Sequence, residues 1–185
     1  MLTIRRFVRI PSGTSPDTLY REKVGDYPKF FKMDLASKLG FLCAELLVSG
    51  DPDRFQPRED RAVLLFSRCG CLCNDLQYQA SMQDFPSPAL FVYTLPNIMT
   101  GEIAIRNKYE GETSAFVLER FDPQQFARTV EEAFEDRVTR SAVCGWIDAR
   151  SAGDFDAFAF LVERDTTGEP FDETTIQQYY GRSDK

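Results

Sequence analysis

Residues 84–111 read DFPSPALFVYTLPNIMTGEIAIRNKYEG, and the fold class turns on how this stretch is taken. Ala89 to Leu95 is a near-continuous apolar run, with Pro86 and Pro88 before it and Pro96 after it, which predicts a strand buried on both faces. Asn97 opens a helix. Its side chain is placed to cap the free N–H groups of the first turn, Glu102 lies within the first two turns, where the helix dipole favours an anion, and Ile98, Ile103 and Ile105 supply apolar contacts. Gly111 ends the unit after a short polar turn. An apolar strand running into a capped helix is half of a β-α-β unit, so the stretch predicts a parallel sheet with this strand well inside it.

Working outward, Leu2 to Ile10 alternates as an edge strand does, and a polar loop follows through Pro16. Leu35, Leu39, Leu42, Cys43, Leu46 and Leu47 fall on one helical stripe that Gly50 stops. Ala36, Gly40 and Ala44 flank it with small residues, suited either to the close approach of a neighbour or to tight packing on the sheet. Ala62 to Phe66 is the next buried strand, and a short helix spans Leu72 to Met82. Past the central stretch, Thr113 to Leu118 is strand-like, and Asp122-Pro123 is a helix start with Asp at the cap and Pro at the first helical position. That helix runs to Asp136, with Phe126, Val130, Ala133 and Phe134 facing inward and Gln125, Arg128, Glu131, Glu132 and Glu135 facing out. Ser141 to Ile147 and Asp156 to Val162 are strands around a loop with Gly153, and Asp172 to Tyr180 forms a last helix. The alternation predicts one α/β domain over residues 1–185: three layers, a mostly parallel five-stranded sheet, helices on both faces, and the final strand antiparallel at one edge.

The net charge of −7 argues against nucleic acid and anionic membrane surfaces, which are held mainly by pooled Lys and Arg. Arg5, Arg6 and Arg9 read as a solvated strand face. No apolar run is long enough to span a bilayer, and MLTIRRFVRI lacks the features of an export signal, so the expected location is the cytoplasm. The chain contains no histidine, which excludes a Ser-His-Asp or Cys-His arrangement and any zinc site that needs imidazole. Five cysteines without an export signal read as reduced thiols. Cys69, Cys71 and Cys73 invite a metal reading, but a fourth ligand is missing nearby and alternate residues at a strand end do not converge as a C-x-x-C turn does. Small packing residues are the expectation, with no metal and no cofactor. Cys43 and Cys144 read as core.

Two segments carry a family resemblance. SPALFVYTLPNIMTGEIAIRNKYEGE (87–112) resembles the part of β-ketoacyl-acyl-carrier-protein synthases in which a strand ends in Pro-Asn, a helix begins with small residues, and a Gly-containing turn leads to the nucleophile strand. KMDLASKLGFLCAELLV (32–48) is similar to their early helix, and Ser141 to Glu163 adds a weaker likeness. The resemblance implies the N-terminal half of the thiolase-like fold, with the second half absent. It also implies a catalytic Cys where the strand after the Gly turn meets a helix, plus two His, or a His and an Asn, from the second half. Here that junction is Leu118, Glu119, Arg120 and Phe121, with no Cys, and no His exists anywhere. Glu119 is either a carboxylate that mimics an acylated Cys or, with Arg120, a solvated pair at a strand end.

The function so implied is that of a ketosynthase-like protein of fatty-acid or polyketide-type biosynthesis, catalytically inactive and serving as an accessory subunit. The alternative is an acyl-thioester-processing enzyme on the same half-fold, using Cys71 or Glu119. The expected assembly is a homodimer, because half of a two-half fold leaves apolar surface uncovered. The expected partner is a full-length ketosynthase or its acyl chain, met through Phe30, Phe31, Met33, Asn97, Ile98 and Met99. An acidic carrier protein is disfavoured, since the basic candidates Lys29, Lys32, Lys38, Arg106 and Lys108 are few and interleaved with acids.

Overall fold

The computed structural model describes residues 1–165 and 167–182. In chain order the elements are β1 (Leu2–Ile10), α1 (Pro16–Lys23), a 3₁₀ turn (Pro28–Lys32), α2 (Leu35–Val48), β2 (Arg61–Ser67), α3 (Leu72–Ser81) and α4 (Pro88–Val92). They continue as α5 (Asn97–Asn107), β3 (Thr113–Val117), α6 (Pro123–Ala133), β4 (Ser141–Ser151), β5 (Asp154–Arg164), β6 (Glu169–Pro170) and α7 (Glu173–Gly181). Short polar side chains start most of the helices. Asp34 accepts from the Ser37 N–H at 3.0 Å, Asp122 from Gln125 at 3.0 Å and Asp172 from Thr175 at 2.8 Å, each satisfying a donor that the helix itself leaves free.

The sheet runs in the order β3-β2-β4-β5-β1-β6. Strict alternation along its strands separates two apolar cores. Val63 and Leu65 of β2, Val143 and Ile147 of β4, and Ala157, Ala159 and Leu161 of β5 face α2 and α5. Ala62, Leu64 and Phe66, then Ala142, Cys144 and Trp146, then Phe158, Phe160 and Val162 face α6 and α7. The period of two is that of a pleated strand, and burial on both faces makes β2 apolar from Ala62 to Phe66. On the first face α2 is almost wholly buried. Leu39, Leu42 and Leu47 are at most 1% exposed, and each contributes about 1.5–3 kcal/mol of burial free energy. Where β4 meets β5, a Cβ on Gly145 would lie 2.4 Å from the Phe158 carbonyl oxygen, so only glycine permits that approach.

Several sequence expectations are corrected here. Ala89 to Leu95 is not a buried strand: Pro88–Val92 is a one-turn helix, capped by Ser87 through the Leu90 N–H at 3.3 Å, and none of its residues is buried. A short apolar run between prolines suits either form. The sheet has six strands, and it is parallel only across β3-β2-β4; β4-β5, β5-β1 and β1-β6 are antiparallel. β1 is not the edge, because β6 pairs with Thr3 and Ile4 on its outer side. Pro96 precedes the first residue of α5, and the Asn97 side chain makes no cap. A further helix, α1, starts at Pro16, where only loop was expected.

Candidate functional site

The junction after β3 is where the ketosynthase resemblance would put a nucleophile. The Leu118 N–H donates to the Ser67 carbonyl at 2.9 Å, carrying the pairing with β2 one residue past β3. Glu119 and Arg120 are exposed. Phe121 turns inward and is 9% exposed, its ring meeting Phe158 edge-on at 5.1 Å, Trp146 at 5.5 Å and Tyr180 at 4.5 Å. The start of α6, whose free N–H groups and dipole would stabilise a thiolate, already carries the carboxylate of Asp122. At this junction Phe121 belongs to the core, the Asp122 carboxylate occupies the helix start, and no Cys is present. The outer face of α6, with Glu131, Glu132 and Glu135, is exposed.

At the C-terminal ends of β2 and β3 a small pocket is lined by Asp34, Ser37, Ser67, Cys71, Tyr93 and Met99 among others. Its volume of about 10 Å³ is that of a single water site. Burial pushes the Asp34 carboxyl above its usual range, opposed by the bonds from Ser37. The Tyr93 hydroxyl donates to Glu102 at 3.0 Å, and Glu102 is 3% exposed and pairs with Lys29 at 2.8 Å. Burial first, then the Glu102 charge, raises the Tyr93 phenol. Glu102 is therefore held by a cation and a hydroxyl from outside its helix as well as by its position near the start of α5.

Cys69, Cys71 and Cys73 lie in and around the turn from β2 into α3 and do not converge; among the described residues no group of three or more His, Cys, Asp or Glu is placed to hold a metal ion. The Cys71 thiol donates to the Thr94 carbonyl at 2.8 Å, and burial, then the Asp75 charge, pushes it up to about 11. Cys73 donates to the Arg150 carbonyl at 2.7 Å. Burial and Asp148 raise Cys69 and Cys73 as well. All three thiols are held away from the thiolate form that nucleophilic attack needs.

The six residues read as partner contacts divide in two. Phe30, Met33 and Met99 are buried, with Phe30 stacked on Tyr20 at 4.1 Å, whereas Phe31, Asn97 and Ile98 reach the surface. Of the basic residues, Lys38 pairs with Asp17 at 2.8 Å, and Arg106 pairs with Asp26 at 2.6 Å and with Glu45 at 3.4 Å. These charges are spent inside the chain.

Sequence reasoning missed the surface of α3 and α4. From Leu72 to Leu95 only Asn74 and Tyr93 are buried. Of the twelve exposed large apolar side chains among the described residues, seven fall in this stretch, including Leu76 at 58%, Phe85 at 87% and Phe91 at 55%. A signal was present: between Arg68 and Glu102 the only charged residues are Asp75 and Asp84.

No family model and no curated protein matches the chain. Solved structures do. A chain from "Ketosynthase (ApeO) in Complex with its Chain Length Factor (ApeC) from Xenorhabdus doucetiae" aligns at a TM-score of 0.64 and 18% identity, over 97% of this chain and 90% of the other, which is therefore about as short. The ishigamide ketosynthase/chain length factor aligns at 0.63 and 19%, over 81% of this chain and 49% of the other. A chain of "AntDE:AntF (apo): type II PKS acyl-carrier protein in complex with its ketosynthase bound to the hexaketide" aligns at 0.62 and 12%, over 88% of this chain and 62% of the other. The fold is thus ketosynthase-like, one half of the thiolase-like architecture, and it spans about half to three-fifths of the chains in the latter two structures.

Proposed function

We propose that this protein is a non-condensing, ketosynthase-like accessory subunit of polyketide or fatty-acid-type biosynthesis, a single domain that works in the cytoplasm bound to a full-length ketosynthase. The observation that carries this reading is the junction at residues 118–121, where Phe121 enters the core and Asp122 fills the helix start. Condensation needs a thiolate at that place and imidazoles to drive decarboxylation, and the chain has neither. The likeness in fold to a chain from a ketosynthase/chain length factor complex supports the accessory role. A homodimer is the state proposed for the isolated chain, since the apolar side chains of α3 and α4 stay exposed until something covers them.

Incubation with malonyl- and acyl-loaded carrier protein is expected to yield no ketoacyl product from the chain alone. With a full-length ketosynthase from the same organism, the amount or length of product is expected to change when the chain is added. Steady product formation by the purified chain alone overturns the reading.

A further inference from the structure

The segment between α3 and α5 crosses the C-terminal ends of β2 and β3. Its Tyr93, Leu95 and Pro96 share the lining of the small pocket there with Asp34, Ser37 and Ser67. Outside the C-terminal ends of parallel strands is where open α/β sheets take their ligands. Independently of the accessory-subunit reading, we infer that residues 84–96 are a lid, closed in this structure, whose opening uncovers a polar cleft floored by Asp34, Ser37 and Ser67.

The lid is lightly held. From Asp84 to Pro96 only Tyr93 is buried, and α4 within it packs mainly against α3 rather than against the sheet. On the pocket side the Asn74 amide donates to the Leu90 carbonyl at 2.8 Å, the Cys71 thiol to the Thr94 carbonyl at 2.8 Å, and the Tyr93 hydroxyl to Glu102 at 3.0 Å. A segment with few buried apolar contacts and a handful of polar ties sits at the low end of local stability, from which lids are drawn. The elements on either side are better anchored. Cys73 of α3 donates to the Arg150 carbonyl of β4 at 2.7 Å, and Ile103 of α5 is fully buried.

Closure also leaves polar groups short of partners. Asn74 is 3% exposed, and its Oδ1 is sealed from solvent and accepts from no donor among the described residues. Burial raises the Asp34 carboxyl, which shows that the charged form is poorly solvated there. A buried acceptor without a donor and a desolvated carboxyl both disfavour the closed state, and both are relieved when water reaches them. Tyr93 acts the other way, since its ring lies in the core under α2 and its hydroxyl donates to a carboxylate that Lys29 also holds. Opposed contributions of this kind give the segment two arrangements, closed with Tyr93 docked and open with Tyr93 released.

The test places a thiol under the lid. Ser67→Cys, at a position 4% exposed, is alkylated in the full chain at neutral pH in rising, sub-denaturing urea, and the peptides are read by mass spectrometry. Cys43 and Cys144, at most 1% exposed in the two cores, report global unfolding in the same sample. The introduced thiol is expected to label at least about tenfold faster than either, at a rate nearly flat in urea, because a local opening exposes little surface. Adding Tyr93→Phe, which deletes the bond to Glu102 and keeps the ring, is expected to raise that rate about tenfold. Ser37→Cys, at a position of α2 that is 3% exposed, repeats the measurement should Ser67→Cys lose the wild-type circular dichroism. An introduced thiol that labels only as fast as Cys43 and Cys144, with their urea slope, overturns the lid, because the segment then opens only when the chain unfolds. Labelling that Tyr93→Phe leaves unchanged overturns it as well, because access then does not pass through this segment.

Discussion

The thiol of Cys71 stands at the start of α3, a place where a helix dipole lowers a cysteine's pKa in enzymes that use one. Here the opposite holds, because the proton is shared with the Thr94 carbonyl and Asp75 sits 3.5 Å from the sulfur. With a pKa near 11, only about one molecule in 10⁴ carries the thiolate at pH 7. Labelling of Cys71 by iodoacetamide is expected to be far slower at pH 7 than that of a free cysteine, and to rise about tenfold per pH unit until the pH approaches 11. Mass spectrometry of alkylated peptides measures it. Fast labelling at neutral pH returns Cys71 to the list of nucleophiles.

At the scale of elements, α2 and α5 pack closely because α2 carries glycine at the contact. A Cβ on Gly40 would lie 2.8 Å from the Met99 Cγ and 3.4 Å from the Leu65 Cδ1. At Gly40 the small residue of the flank thus admits both the neighbouring α5, through Met99, and the sheet, through Leu65. Met99 is flexible, so a methyl group at this position is absorbed by a rotamer change, whereas a full leucine is not. Gly40→Ala is expected to change stability by less than about 1 kcal/mol, the gain in helix propensity offsetting the contact. Gly40→Leu is expected to cost about 1–3 kcal/mol by overpacking. Urea unfolding separates the two, and a Leu variant as stable as wild type contradicts the packing described.

For the whole molecule, the field and the exposed apolar surface pull apart. The net −7 sets long-range repulsion from acidic partners, while the exposed apolar stretch of residues 72–95 carries only Asp75 and Asp84. Association with a ketosynthase through apolar contacts is expected to persist from low salt to 1 M, where the screening length is about 3 Å, with affinity changing by less than about threefold. A steep loss with salt, abolished by charge reversal at Lys29 and Lys32, shows ionic docking instead. Lys29 is half-exposed but already paired with Glu102, so that outcome requires a pair to be broken on binding.

Local chemistry wrote much of this architecture into the chain. Asp34, Asp122 and Asp172 announce their helices because a short carboxylate beside a free backbone N–H acts within three residues. The stripe of α2 and the alternation of β2 are legible for the same reason: burial repeats with the period of the element. That residues 118–121 hold no Cys and that the chain holds no His are likewise read directly from the sequence. Tertiary structure alone decided the neighbours. β1 pairs with β5 across more than a hundred and forty residues of sequence, Leu2 opposite Arg164 and Ile10 opposite Ala157, and nothing local in either strand specifies that partner or its antiparallel sense. It also decided the fate of Ala89 to Leu95. The hydrophobic effect is non-directional, so an apolar run states that it is to be covered and not by what; only the positions of the neighbouring elements show that this chain's own core leaves residues 88–92 unburied.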